Sequence, residues 1–80
     1  MAVKFEIQEN VGIVSEGKNG WMKEVNIVGW NGAAPKFDIR SWDEDHEHMS
    51  RGITLTEEEM NNLCEAYKSY KKHKGGNENV

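Results

Sequence analysis

The chain has 80 residues, a net charge of −4, one cysteine and one proline. That length allows one domain burying only roughly 60% of its unfolded surface, so something must supplement the core. A lone Cys64 excludes an internal disulfide, and no four-ligand Cys/His spacing supports a structural zinc, which leaves a partner chain.

No apolar run approaches the about 18 residues of a membrane span, and Met1-Ala2-Val3-Lys4 reads as strand-like rather than as a signal peptide. A soluble, cytoplasmic protein with no membrane association is expected. The acidic total is also local. Residues 1–42 carry five basic and five acidic side chains, as do residues 51–80, so the whole −4 lies in Asp43, Glu44, Asp45 and Glu47.

Val3, Phe5, Ile7, Val11 and Ile13 all fall on odd numbers, the period of two that marks a half-buried strand, with Glu9 as its one break. Asn19-Gly20 then supplies the residue pair most at ease with positive φ, which predicts a hairpin. A second strand is expected from Trp21 to Trp30, with Val25 and Ile27 on one face, Asn26, Val28 and Trp30 on the other, and room for a bulge at Gly29. After the turn Asn31-Gly32-Ala33-Ala34-Pro35, a third strand runs from Lys36 to Trp42. Its alternation sets Phe37 and Ile39 toward a core and Lys36, Asp38, Arg40 and Trp42 toward solvent.

Residues 43–50 read as an acidic loop and Arg51 to Leu55 as a short fourth strand with Ile53 and Leu55 inward. Thr56 and Glu59 have the spacing of a capping box, and Glu57, Glu58 and Glu59 suit the positive end of a helix dipole. Met60, Leu63, Cys64, Tyr67 and Tyr70 give that helix an apolar stripe. Lys68, Lys71, Lys72 and Lys74 complement its other end, and Gly75-Gly76 stops it. The expectation is an α+β fold: a four-stranded antiparallel sheet followed by one C-terminal helix, in a single domain over 1–74 with a flexible C-terminal tail at 75–80. A helix of about 17 residues spans roughly 25 Å against roughly 33 Å for the longer strands, so one helix leaves apolar sheet for a second copy of the chain.

On the polar face of strands two and three, Trp30, Trp42, Lys36 and Arg40 lie close enough to form one patch. Exposed indoles stack on unpaired bases while cations hold phosphates, a use open to single strands and closed to a duplex. The same residues also admit a structural reading. Both tryptophans sit at strand ends, where an indole packs under a loop, and Asp38 can pair with its cationic neighbours.

His46 and His48 among carboxylates invite a metal, but neither a calcium-loop pattern nor a helical His pair is present, so a solvated loop and no metal are expected. Cys64 on the apolar stripe reads as a buried, inert thiol. No nucleophile–base arrangement, phosphate loop or cofactor motif stands out, so the chain reads as a non-enzyme without cofactor.

The run from Val25 to Leu63 resembles the DNA-binding domain of the transcriptional positive cofactor four family, closest to its small bacterial YdbC-type members. The resemblance rests on the strand ending in Trp30-Asn31-Gly32, on Phe37-Asp38-Ile39-Arg40-Ser41-Trp42, and on Arg51-Gly52-Ile53-Thr54-Leu55-Thr56 before a helix. It implies a curved ββββα sheet, a two-fold homodimer built largely through the helices, and single-stranded DNA bound with little sequence preference. By the same resemblance, Trp30 matches the family's stacking aromatic in the hairpin, Trp42 matches the tryptophan after the Asp-Ile-Arg strand, Arg40 and Arg51 match basic backbone contacts, and Lys23 and Lys36 are similar to basic residues nearby.

The expected function is therefore sequence-independent single-stranded DNA binding in transcription or DNA maintenance, with a cytoplasmic, nucleoid-associated location and transcription or repair proteins as partners. Two alternatives stay open: single-stranded RNA as the ligand, and a protein-interaction module that docks a partner through the tryptophan face or a sheet edge.

Overall fold

The computed structural model describes residues 4–75. Strand β1 (Phe5–Glu16), a 3-10 turn (Lys18–Gly20), β2 (Met22–Trp30), β3 (Lys36–Trp42), β4 (Ile53–Leu55) and helix α1 (Glu57–Gly75) follow in that order. The strands form one sheet in the order β1-β2-β3-β4, with every neighbouring pair antiparallel. The four-strand-plus-helix architecture and the span of β3 are those expected from the pattern. β4 is shorter, beginning at Ile53 rather than Arg51.

Local chemistry accounts for the connections. Asn19 and Gly20 take φ of 59° and 82°, and Asn31 and Gly32 take 51° and 81°, so both turns use residue types that tolerate the left-handed region. Glu59 N–H donates to Thr56 Oγ1 at 3.1 Å and Thr56 N–H donates to Glu59 Oε1 at 2.8 Å, a reciprocal capping box that starts α1. Residues 76–80 of the tail expected at 75–80 lie outside the described residues; Gly75 is part of the helix.

The buried face of the sheet is the opposite of the one expected. Val28, Trp42, Asn26 and Asp38 are wholly buried and Glu24 nearly so, whereas Val25, Ile27, Phe37 and Ile39 are only half-buried. The cause is β1. Register shifts between Ile7 and Glu9, Asn10 and Gly12, and Ile13 and Ser15 interrupt its pairing with β2. Each bulge adds one residue, bends the strand and resets which side chains face inward. Phe5, Ile7, Asn10, Ile13 and Glu16 thereby stand opposite Trp30, Val28, Asn26, Glu24 and Met22, all on the face of Trp42. The strict odd-number alternation of β1 does not survive, and no register shift occurs at Gly29, where a bulge was expected.

Helix α1 meets β3 and β4 but extends well beyond them. Met60 is half-buried, and every residue from Asn61 to Lys74 is exposed. Leu63, Tyr67 and Tyr70 are 49%, 60% and 58% exposed, and Cys64 is exposed as well, not buried as its place in the stripe suggested. The stripe is apolar as read, yet no described residue of the same chain covers it from Leu63 onward.

The approach to β4 depends on one glycine. A Cβ at Gly52 would overlap the Ile39 carbonyl oxygen and the Arg40 side chain of β3. Gly52→Ala should therefore push β4 away from β3 and cost about 1–3 kcal/mol, the range for overpacking a close contact. Chemical denaturation of Gly52→Ala beside the parent checks this; equal midpoints would show that the contact yields freely.

Candidate nucleic-acid interface

The face inside the bend of β1 carries a row of rings. The Arg40 guanidinium lies 4.6 Å from the Trp30 ring centroid, Phe5 lies 5.7 Å from Trp30 and 5.1 Å from Trp42, and the His46 ring lies 5.5 Å from Trp42. The ring pairs are tilted by 39° to 48°, between stacked and edge-on. β3 supplies Arg40 and Trp42, β2 supplies Trp30, β1 supplies Phe5 and the acidic loop supplies His46.

Buried carboxylates organise the row. Asp38 is wholly buried; its Oδ1 accepts from Arg40 Nε at 2.7 Å and its Oδ2 from Trp30 Nε1 at 3.2 Å. This clamp holds the guanidinium over the indole, and removing one partner of such a buried pair costs about 3–5 kcal/mol because the other charge is stranded. Glu24 is the second. It accepts from Asn26 Nδ2 at 3.0 Å and from His46 Nε2 at 3.0 Å to each oxygen, while Asn26 Oδ1 accepts from Asn10 Nδ2 at 2.8 Å. Ile7, Asn10, Ile13, Glu24, Asn26 and His46 line a groove beside the rings.

The expected site residues divide accordingly. Trp30 and Arg40 stand together on this face, with Trp30 half-buried and the Arg40 side chain 13% exposed. Lys36 shares their face by register and is exposed; Arg51 is exposed just before β4. Lys23 is exposed but pairs with Ser41, which places it on the opposite face.

Trp42 is the main correction. Its expected exposure to solvent is overturned: it is 0% exposed, covered by Phe5 and His46, and its Nε1–H has no hydrogen-bond acceptor among the described residues. The structural reading of the strand-end indole, packed under a loop, describes its position here. Asp38 likewise pairs with Arg40.

Four participants were missed on this face: Phe5, Glu24, Asn26 and His46. Glu24 and Asn26 have the same parity as Trp30 within β2, so their side was legible. Phe5 and His46 reach it only through the bulged strand and the returning loop.

The loop is not merely solvated. Asp43 Oδ1 accepts from the backbone N–H of Glu47 and His48 at 3.0 and 3.1 Å, and His48 Nδ1 donates to Asp43 Oδ2 at 2.8 Å. Trp42 pairs with Met49 in an isolated bridge, and Arg40 Nη1 donates to the Ser50 carbonyl at 3.4 Å. These contacts return the loop to the edge of β3.

Fold and site define a small open-sheet protein with one terminal helix and an aromatic–cationic row on one sheet face. Residues 18–66, more than half of the chain, match the family Transcriptional Coactivator p15 (PC4), and the chain belongs to that family. The family is non-enzymatic, binds single-stranded DNA and acts in transcription. The chain is also 41% identical over 56 residues to an uncharacterised protein of Treponema pallidum (strain Nichols), covering 70% of this chain and 66% of the relative. No helix among the described residues is long and apolar enough to cross a membrane.

The loop's own pin should respond to pH. The hydrogen bond to Asp43, reinforced by its charge, raises the His48 pKa above the usual imidazole value. The same side-chain bond, with the backbone N–H groups of His48 and Glu47, lowers the Asp43 pKa below the usual carboxylate value. A raised imidazole stabilises below its ordinary pKa and loses that contribution as pH rises through the raised one; a lowered carboxylate stabilises above its ordinary pKa and loses it as pH falls through the lowered one. The Glu47 and His48 amides should thus be best protected between the ordinary carboxylate and imidazole values. Hydrogen exchange corrected for intrinsic rates should show that maximum, and His48→Gln should flatten its alkaline side.

Proposed function

We propose that this chain binds single-stranded DNA without sequence preference, as a homodimer, through the sheet face that carries Trp30 and Arg40. The observation that supports this most directly is the Asp38 clamp, which fixes a guanidinium over an indole at a half-open edge of the row. A base stacks on the aromatic platform, and exposed Lys36 and Arg51 hold the backbone phosphates on either side of it. The buried carboxylates do not oppose this use, because Asp38 is spent on Arg40 and Glu24 is engaged by His46 and Asn26. Trp42 belongs to the same platform as its inner ring. Service in transcription or DNA maintenance, in association with the nucleoid, follows from the ligand class.

The second copy is argued from α1. Met60, Leu63, Tyr67 and Tyr70 make one stripe, with Glu57, Glu58 and Glu59 at its start and Lys71, Lys72 and Lys74 at its end. Two such helices running antiparallel about a two-fold axis cover each other's stripe and set each acidic end beside a basic one. The two sheet faces then offer a longer track to one strand.

Fluorescence anisotropy with labelled oligothymidine and with its duplex tests the binding. Trp30→Ala should weaken single-strand binding by about 5- to 150-fold, the range for losing one base–aromatic stack. Lys36→Ala and Arg51→Ala should each reduce the magnitude of the log-affinity against log-salt slope by about 0.7 for every phosphate that the removed cation had neutralised. Lys23→Ala, on the opposite face, should do less. Unchanged affinity in Trp30→Ala, or equal affinity for duplex, refutes the platform.

Sedimentation tests the assembly. The parent should run near twice its 9.2 kDa chain mass, and Leu63→Glu or Tyr67→Glu should yield monomer or unfolded chain. A folded parent monomer at micromolar concentration refutes the dimer.

A further inference from the structure

We propose that the acidic loop 43–48 is a self-masking strap, in which His46 occupies on Trp42 the place of a stacked base, so that a single strand must displace the strap to use the inner ring. The inference rests on the single-strand reading above and specifies how that site is regulated.

Three observations carry it. The row Arg40, Trp30, Phe5, Trp42, His46 ends in a ring that comes from a loop, whereas its other members come from strands. That ring packs against Trp42, which is wholly buried while its Nε1–H makes no hydrogen bond to any described residue, so the closed arrangement leaves a polar group unsatisfied. The strap also carries Asp43, Glu44, Asp45 and Glu47 beside its two imidazoles, and over Asp45-His46-Glu47-His48 negative charge alternates with flat rings, as it does along a nucleotide strand.

Two of its side chains fasten it to the sheet. His46 Nε2 donates to both oxygens of the buried Glu24, and the Glu44 side chain lies against Gly20 of the first hairpin. His46 itself sits at φ 59°, a conformation disfavoured for a residue with a side chain, so it is held there by its contacts rather than by local preference. Its side chain is 39% exposed, against 7% for Glu24. Releasing His46 opens one side of Trp42 while Phe5, anchored in β1, remains. A ligand that needs the open state binds with an affinity reduced by the fraction of molecules that are closed.

Loosening the strap should therefore tighten binding. His46→Ala removes both the ring and its bond to Glu24, and Glu24→Gln combined with His46→Ala also removes the stranded carboxylate. Each should lower the Kd for oligothymidine by about 2- to 12-fold, as expected when one hydrogen bond no longer holds the closed state. The salt slope should not change, because no phosphate contact is altered. In the parent, adding oligothymidine should abolish the nuclear Overhauser contacts between the His46 and Trp42 rings, which lie 5.5 Å apart in the closed arrangement. That readout needs no variant and decides the matter if His46→Ala folds poorly. Parent binding with the His46–Trp42 ring contacts intact, or folded variants that bind no tighter than the parent, overturns the strap alone. Failure of the parent and both variants to bind oligothymidine overturns the single-strand reading, and the strap falls with it.

Discussion

Each bulge in β1 leaves one residue without a partner on β2, and three of them in one strand of 12 residues bend it across a single face of the sheet. Everything on that face follows from the bend. Phe5 can reach both Trp30 and Trp42 although they belong to different strands. Ile7 and Ile13 close over Asn26 and Glu24, forming the groove wall. Counted from the hairpin pair Glu16 and Met22, an unbulged β1 would set Ile13 and Val11 against Val25 and Ile27, on the other face of the sheet.

Burying that face imposes an electrostatic requirement, since β2 and β3 bring Glu24, Asn26 and Asp38 into it. A buried carboxylate is tolerated only with charge-assisted or dipolar partners. Asp38 obtains Arg40 and the Trp30 indole; Glu24 obtains Asn26 and His46. These bonds also set the geometry of the face. One fixes a cation over an aromatic ring, and the other ties an otherwise exposed acidic loop to the sheet. The polar interior thus aims the Arg40 guanidinium and the Trp30 indole, with apolar packing reduced to Val28, Trp42 and the residues that close over them.

The other sheet face and the helix show the complementary condition. Val25, Ile27, Phe37, Ile39 and Leu55 are half-buried, and the stripe on α1 is open from Leu63 onward. A chain of 80 residues that gives one sheet face to a polar interior has little apolar area left for itself. The proposed association with a second copy would join the two halves of the problem by covering the helices and aligning the two sheet faces.

Much of this was legible without coordinates. Strand β3, the Asn19-Gly20 and Asn31-Gly32 turns, the Thr56–Glu59 cap and the stripe of α1 are written in residue types whose φ, ψ and hydrogen-bonding preferences act over a few positions. Membership of the family was legible too, because its motif lies within contiguous segments. The inward face was not. A bulge is a property of two paired strands, and counting parity along β1 alone cannot reveal where its partner skips a residue. The burial of Trp42 and the link from His46 to Glu24, 22 residues away, were hidden for the same reason. Chain order states which rings and charges exist; only the bent sheet and the returning loop decide which of them meet.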